Sequence, residues 1–309
     1  MSYAIRTDLA IEAAQLCGDV SGIDGCKVDE KTLSGVDVTV VDIETTGASD
    51  KIGKPIGRYI TLHSDAIRTG DSERYETIAG LMQRFLSELM GDSNKVLVAG
   101  LGNRSITPDA LGPKVTEQIY VTRHLWEQKL ITDSDVPQVS AIAPGVLGIT
   151  GIETGEIIKA VAEKTKPDVI IAIDALAARS MERVTTTIQL SDTGIIPGSG
   201  VGNRRNALTE DTLGIPVIAI GVPTVVDAAT VANDSLDMLT LAIKENAGEA
   251  SNLYKAVSSL DVDNRFELIH QVLEPFVGSL IVTPTEIDSV IDHVSEIIAR
   301  GINGALGLE

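Results

Sequence analysis

The chain has 309 residues, 43% of them hydrophobic, which is enough for one large α/β domain or two small ones. Its formal net charge of −19, from 44 acidic and 25 basic residues, argues against a surface that binds DNA, RNA or anionic membranes. The apolar runs are shorter than the roughly 20 residues needed to span a bilayer. Cys17 and Cys26 have no second pair to complete a metal site, so we interpret them as reduced thiols in a cytoplasm.

Along the chain, β-branched runs predict strands, and segments with helical periodicity separate them. The predicted strands cover 36–43, 57–62, 95–101, 139–143, 168–174, 185–190 and 216–222. The predicted helices lie near 71–90, 110–131, 153–165, 224–246, 263–273 and 285–300. This alternation is typical of an α/β fold with a mostly parallel central sheet and helices on both faces. The more alternating segments near 36–62 predict a small β-rich edge or subdomain.

Two glycine-rich stretches follow predicted strands. VLVAGLGNRSITPDALGPK, residues 96–114, is a strand, a GLGN turn and a helix start, which is where an open α/β sheet binds its ligand. A GxGxxG dinucleotide motif would need glycine at Ser105, so a tight packing turn explains the stretch equally well. PGSGVGNRR, at 197–205, lacks the Lys-Ser/Thr ending of a P-loop, which favours a surface loop.

Two aspartates stand where predicted central strands end. Asp109 is in the turn after strand 95–101, and Asp174 ends strand 168–174. Two carboxylates that face one cleft can share a proton, so that one activates water and the other protonates a leaving group. Asp109 is also a candidate N-cap or first-turn acid after Pro108, and Asp174 is a candidate helix cap. The residues alone favour these structural roles over catalysis.

Several long motifs run through the chain: GLGNRSITPDALGPK, PGVLGITGIETGEII, KPDVIIAIDALAARSMERV, TGIIPGSGVGNRR, LGIPVIAIGVPTVVDA, LIVTPTEID and INGALG. Together they closely resemble the germination protease family of spore-forming bacteria, from RTDLAIEA at 6–13 to the last predicted helix. The resemblance implies an endopeptidase of the forespore and spore core that degrades small acid-soluble DNA-coating spore proteins. It implies no direct binding of nucleic acid or membranes. The family is oligomeric, and we expect a homotetramer.

The resemblance also implies roles for particular residues. It places the catalytic carboxylates on Asp109 and Asp174, in a sheet similar to that of hydrogenase-maturation endopeptidases, whose corresponding acids hold a metal. Four histidines stand in segments without evident ligand spacing: His63, His124, His270 and His293. We therefore expect a metal-free aspartate pair without a cofactor. Arg179 and Arg183, spaced by one helical turn, are candidates for orienting the pair or binding substrate, although exposed salt bridges are the simpler explanation.

The N-terminal stretch TDLAIE, at 7–12, resembles the substrates of that family. Their pattern is threonine or serine, an acid, a large apolar residue, alanine, any residue and glutamate, with the cut after the acid. We therefore predict a zymogen that cleaves itself between Asp8 and Leu9. Residues 1–8 are then a short propeptide, and 9–309 form a single α/β peptidase domain. A plain helix start is the alternative interpretation of the same stretch.

Two other functions stay open on the sequence. A maturation endopeptidase for a metalloenzyme would share this fold, process one large partner near its terminus and depend on nickel. A nucleoside- or phosphate-binding protein of similar fold would use the GLGN and GSGVGN loops and would cleave no peptide bond.

Overall fold

The computed structural model describes residues 7–18, 23–133, 135–197, 206–247 and 280–308, with 252, 254, 265, 268, 269, 271–273 and 275 between the last two ranges. Most of the glycine-rich stretch predicted at 197–205 therefore lies outside the described residues. The described positions of the helix predicted at 263–273 are helical.

Nine strands of the described residues form one sheet. They are β1 Cys26–Leu33, β2 Val36–Ile43, β3 Gly57–His63, β4 Lys95–Gly100, β5 Gln138–Ile142, β6 Val169–Ala178, β7 Thr187–Ser191, β8 Val217–Asp227 and β9 Ile281–Val282. Their order is β1-β2-β3-β7-β8-β6-β4-β5, and β9 pairs with β8. The strands β8, β6, β4 and β5 are parallel, whereas β1, β2, β3, β7 and β9 pair antiparallel. The parallel centre is confirmed, and the antiparallel edge is larger than the segment near 36–62 alone.

Besides the helical positions between 252 and 275, the described residues form helices between these strands and at both ends. They are α1 Ala10–Leu16, α2 Thr46–Ile52, α3 Ala66–Thr69, α4 Ser72–Met90, α5 Leu111–Thr116, α6 Arg123–Glu127, α7 Leu147–Thr150, α8 Thr154–Thr165, α9 Glu210–Leu213, α10 Ala228–Ala247 and α11 Ile287–Ala305. Short 3₁₀ turns occupy Thr107–Asp109 and Met181–Arg183. No long helix in the described ranges is apolar enough to cross a membrane.

Helices cover both faces of the sheet because their apolar residues recur at helical spacing. On one face, α4 contributes Met82 and Leu86 and α11 contributes Ile291 and Ile298 to the main core. On the other face, Ile158 and its neighbours on α8 pack against the parallel strands in a second core. Full burial of such a side chain contributes about 1.5–3 kcal/mol relative to exposure. These cores hold the parallel strand ends, where the candidate site lies.

Three predicted elements have wrong boundaries because hydrogen bonds to distant parts of the chain decide where they begin or end. The helix predicted at 110–131 is two short helices, because the Tyr120 N–H binds the Asn303 side chain and Thr122 pairs with Val139 in β5. The helix predicted from 224 begins at Ala228, since the preceding residues extend β8. The strand predicted to end at 174 continues to Ala178, because β8 continues beside it.

Several elements were not predicted, among them β1 and α2. Strand β1 has the sequence CKVDEKTL, whose largely exposed side chains show no apolar alternation, and it is a strand because its backbone pairs with β2. Helix α2 begins in TTGASD, where Thr45 caps the helix by accepting a hydrogen bond from the Ala48 N–H at 3.2 Å.

Candidate active site

Asp109 is positioned by a tight turn at the end of β4. The Leu101 N–H donates to the Ile173 carbonyl oxygen at 2.7 Å, which extends the β4–β6 ladder by one residue. The chain then turns at Gly102, whose φ of +110° disfavours a side chain, and an added Cβ there would collide with the Asp109 carbonyl oxygen. The Asn103 N–H donates to Asp109 Oδ2 at 2.8 Å, so the turn closes back on the aspartate.

Asp174 lies in the middle of β6, one residue beyond the last β4 partner, Ile173. Its partner on β8 is Gly221, and its side chain is only 5% exposed. The Ala175 N–H donates to Asp174 Oδ1 at 3.0 Å. No helix follows Asp174, so the helix-cap interpretation is wrong for this residue. The Asp109 carboxylate does not cap α5, since that helix has no side-chain cap. Asp109 is, however, the acid that follows Pro108 in the 3₁₀ turn, so the alternative of a first-turn acid is confirmed.

Both aspartates line one cleft of about 450 Å³ at the carboxyl ends of the parallel strands. Most of its wall is apolar and includes Leu101, Ile106, Val146, Leu176 and Val225. Asp8, from the N-terminal segment, lines the same cleft. The structure thus brings together the two carboxylates that lie far apart in sequence and the residue after which the sequence predicts a cut.

The N-terminal segment pairs with β6 before it enters α1. The Asp8 N–H donates to the Ala177 carbonyl oxygen at 3.2 Å, and the Ala177 N–H donates to Asp8 Oδ2 at 3.0 Å. Leu9 is fully buried and packs with Leu176 and Ile195. The peptide bond between Asp8 and Leu9 is therefore held in a defined register beside the cleft.

Glu12 anchors the other end of the same segment. Its carboxylate is 3% exposed and accepts hydrogen bonds from the Arg179 N–H at 2.8 Å and the Ser180 N–H at 2.9 Å. Arg183 Nε lies 3.7 Å from Glu12 Oε1, and the Thr7 hydroxyl also donates to this carboxylate. Arg179 and Arg183 do not share a helix, because Arg179 follows β6 and Arg183 ends a 3₁₀ turn.

Sequence reasoning did not mark two residues that contact Asp8. Lys54 Nζ donates to the Asp8 carbonyl oxygen at 2.9 Å, and Gln189 Nε2 donates to the same oxygen at 3.4 Å. Lys54 lies between α2 and β3, and Gln189 lies on β7, so only the tertiary fold brings both to the segment. Neither stands in a recognisable motif of its own.

Within the described residues, no three or more His, Cys, Asp or Glu side chains are grouped so as to hold a metal ion. His63 Nδ1 lies 3.2 Å from the Thr187 hydroxyl, and His293 packs against Tyr75. His270 is outside the described residues. Cys17 and Cys26 are free thiols.

Comparison with known proteins identifies close relatives of the whole chain. The germination protease family model matches residues 6–255 and 244–309. Germination proteases of Clostridium acetobutylicum and Clostridium tetani are 48% and 49% identical to it, over 98% of this chain and 95% of theirs. The germination protease of Bacillus subtilis is 44% identical over 98% of this chain and 94% of its own. A solved NiFe hydrogenase maturation protease from Thermococcus kodakarensis KOD1 matches with a TM-score of 0.31 and 18% identity, covering 45% of this chain and 80% of that one.

Proposed function

Because this chain belongs to the germination protease family and is a peptidase, we propose that it is an aspartate-dependent endopeptidase, made as a zymogen, that degrades small acid-soluble spore proteins. One observation carries the proposal. Asp8, the residue before the expected cut, lines a single cleft together with Asp109 and Asp174. The segment TDLAIE at 7–12 is thus held beside the two carboxylates as a substrate would be.

In the proposed reaction, one aspartate takes a proton from a water molecule, whose oxygen attacks the carbonyl carbon of Asp8. The other aspartate gives its proton to the nitrogen of Leu9 as the C–N bond breaks. The products are a new carboxyl group on Asp8 and a new amino terminus at Leu9. The apolar walls of the cleft support these separate roles of base and acid. Two carboxylates in such surroundings favour a state in which the pair holds one proton.

The contacts of the N-terminal segment support a specific substrate pattern. The acid before the cut corresponds to Asp8, which binds the Ala177 N–H, and the large apolar residue after it corresponds to the buried Leu9. The final glutamate corresponds to Glu12, held by two backbone N–H groups and Arg183. After residues 1–8 leave and residues 9–12 are displaced from these contacts, an unfolded substrate protein pairs with β6 in the same way. In this proposal Arg183 binds substrate through its side chain and Arg179 through its backbone.

The proposed setting is the cytoplasm of the forespore and the spore core, with activity independent of a metal or cofactor. The enzyme acts as a homotetramer. The side chains of Met238, Leu239 and Leu241 on α10 are more than half exposed and support self-association. Multi-angle light scattering should report four times the 32.6 kDa of one chain. A single-chain mass at micromolar concentration would contradict the tetramer.

The central experiment is mass spectrometry of a basic, unfolded small acid-soluble spore protein after incubation with this chain in mild acid. Mild acid favours the reaction because the aspartate pair needs one shared proton. We expect cuts after the acid of the TDLAIE-like pattern, loss of residues 1–8 from the enzyme, and neither event with Asp174→Asn. Nickel-dependent trimming of a large metalloenzyme would instead support a maturation endopeptidase. Thermal stabilisation by phosphate or nucleosides without cleavage would support a binding protein.

A further inference from the structure

The N-terminal segment separates two cavities. Asp8 lines both the cleft that contains the aspartates and a neighbouring cavity of about 670 Å³. Lys54 and Gln189 line the second cavity and not the first. Asp8 therefore lies between a cleft lined by the two carboxylates and a cavity lined by a cation and an amide.

Lys54 binds the backbone of this segment at two consecutive carbonyl groups. Its Nζ donates to the Thr7 carbonyl oxygen at 3.0 Å and to the Asp8 carbonyl oxygen at 2.9 Å. Lys54 is half-buried, and burial lowers the pKa of its ammonium group, against the opposing effect of the Asp8 and Glu12 carboxylates. A poorly hydrated ammonium group interacts more strongly with a negative oxygen than one in bulk water does.

The Gln189 side chain contacts the backbone on both sides of Leu9. Its Oε1 accepts from the Ala10 N–H at 2.7 Å, and its Nε2 donates to the Asp8 carbonyl oxygen at 3.4 Å. The Ala10 N–H is a donor and requires the oxygen of the amide, so the Nε2 group must face Asp8. Gln189 is 7% exposed, which restricts the side chain to this arrangement.

The sheet register aligns this amide with one of the aspartates. Gly221 on β8 pairs with Asp174 of β6 on one side and with Gln189 of β7 on the other. Directly paired residues project to the same face of a sheet. Asp174 and Gln189 therefore project from that face on either side of a glycine, two strand spacings or about 10 Å apart. A peptide segment that lies across Gln189, Gly221 and Asp174 therefore contacts an amide donor and a carboxylate on the same face of the sheet.

We propose that Lys54 and Gln189 form the binding site for the carbonyl oxygen of the bond that is cut, and that Lys54 is a catalytic residue. This inference rests on the proposed cleavage after Asp8. When water attacks the carbonyl carbon, the C=O electron pair moves onto the oxygen, and the negative charge develops between the Lys54 ammonium group and the Gln189 N–H. Lys54 stays protonated throughout. Collapse of the tetrahedral species re-forms the C=O bond and releases the Leu9 nitrogen.

The first test is the rate at which the full chain loses residues 1–8, followed by mass spectrometry. Removing one donor to a developing oxyanion typically lowers the rate about 10²- to 10³-fold, and we expect this loss for Lys54→Met. Lys159→Met is the matched control, because Lys159 is an exposed lysine of helix α8 that lines neither cavity, and its rate should stay unchanged. Gln189→Glu keeps an acceptor for the Ala10 N–H but removes the donor to Asp8, so it should also be slow.

A second test separates catalysis from tethering of the N-terminal segment. A synthetic peptide with the sequence of residues 5–14 is added to the parent chain and to Lys54→Met, each incubated until mass spectrometry shows complete loss of residues 1–8. The values of kcat and KM are then measured separately. An oxyanion donor lowers kcat of Lys54→Met with little change in KM. Unchanged kcat for Lys54→Met would show that Lys54 only fastens the segment and would overturn the inference. If the parent chain cuts neither itself nor the peptide, the proposed function fails and the inference fails with it. Thermal unfolding of each variant checks that it is folded.

Discussion

Asp8 and Ala177 are joined by two hydrogen bonds, from the Asp8 N–H to the Ala177 carbonyl oxygen and from the Ala177 N–H to the Asp8 carboxylate. Ala177 stands three residues after Asp174 on β6, so the strand that carries one candidate catalytic carboxylate also sets the register of the N-terminal segment. A shift by one residue would take Leu9 out of its apolar pocket. The position of the expected cut is therefore a consequence of strand pairing.

Replacement of either candidate carboxylate should abolish cleavage while the fold persists. In Asp109→Asn and Asp174→Asn the amide keeps the size of the side chain but cannot exchange the required proton. Losses of several orders of magnitude are expected for groups that act as a unit. The measurement is loss of residues 1–8 by N-terminal sequencing, with Asp92→Asn, at an exposed turn, as the control. Near-normal turnover in either variant would remove that aspartate from the mechanism.

Gly102→Ala should inactivate the enzyme through the position of Asp109. The added Cβ would collide with the Asp109 carbonyl oxygen, and the φ of +110° is unfavourable for alanine. We expect a large loss of activity, about 100-fold or more, with a smaller loss of thermal stability. Gly148→Ala on α7 is the control, since no atom lies within 4 Å of its added Cβ. Activity close to that of the parent chain would show that Asp109 need not occupy this turn.

Glu12→Gln should slow self-cleavage by roughly 10- to 100-fold. The change removes a charge that accepts hydrogen bonds from the Arg179 and Ser180 N–H groups, and a hydrogen bond to a charged group contributes about 1.5–3 kcal/mol. Arg183→Met should have a weaker effect because its contact with Glu12 is longer, at 3.7 Å. Glu30→Gln on the exposed strand β1 is the control. An unaltered rate in Glu12→Gln would exclude Glu12 as a determinant of the register.

Lys54 should make the free energy of unfolding depend on pH in the alkaline range. Burial lowers its pKa below the usual 10.5, so between the lowered value and 10.5 the unfolded chain binds more protons than the folded chain. The contribution of Lys54 to the free energy of unfolding therefore rises with pH across this window. The measurement is urea unfolding of two chains that do not cleave themselves, Asp174→Asn and the double variant Asp174→Asn/Lys54→Met. The free energy of unfolding of the chain that retains Lys54 should gain on that of the double variant as pH approaches 10.5.

The pKa of Tyr59, raised to about 12 by burial, changes stability in the opposite direction above its usual value of 10.0. Both chains in this comparison retain Tyr59, so its effect cancels in the difference. A difference that stays constant from about pH 8 to the usual lysine pKa would contradict the burial of the Lys54 ammonium group.

Exhaustive chelation should leave proteolysis intact, since the proposed mechanism activates water with a carboxylate. The measurement is the initial rate on the peptide of residues 5–14 after dialysis against a chelator, with the undialysed enzyme as reference. Loss of the rate, followed by rescue with one divalent ion, would support water activated by a metal ion.

Sequence patterns predicted most of the regular elements, because continuous β-branched runs and helical periodicity reflect burial that each segment needs wherever it packs. The strand at 36–43 matches β2, and the helix predicted at 153–165 differs from α8 by one residue. The predictions fail where pairing with a distant strand decides whether an element forms or where it ends. Strand β1 has too few buried side chains to show a pattern, and β6 continues past Asp174 only because β8 lies beside it.

The sequence by itself determined the family and pointed to two candidate catalytic aspartates and the substrate-like stretch at 7–12, because each belongs to a continuous motif. Only the tertiary structure placed Asp8 in the cleft of Asp109 and Asp174 and put Lys54 and Gln189 on its carbonyl oxygen. The alignment of Gln189, Gly221 and Asp174 depends on the register of three strands from distant parts of the chain. Register is set by pairing and burial across the whole sheet, so no local pattern contains it.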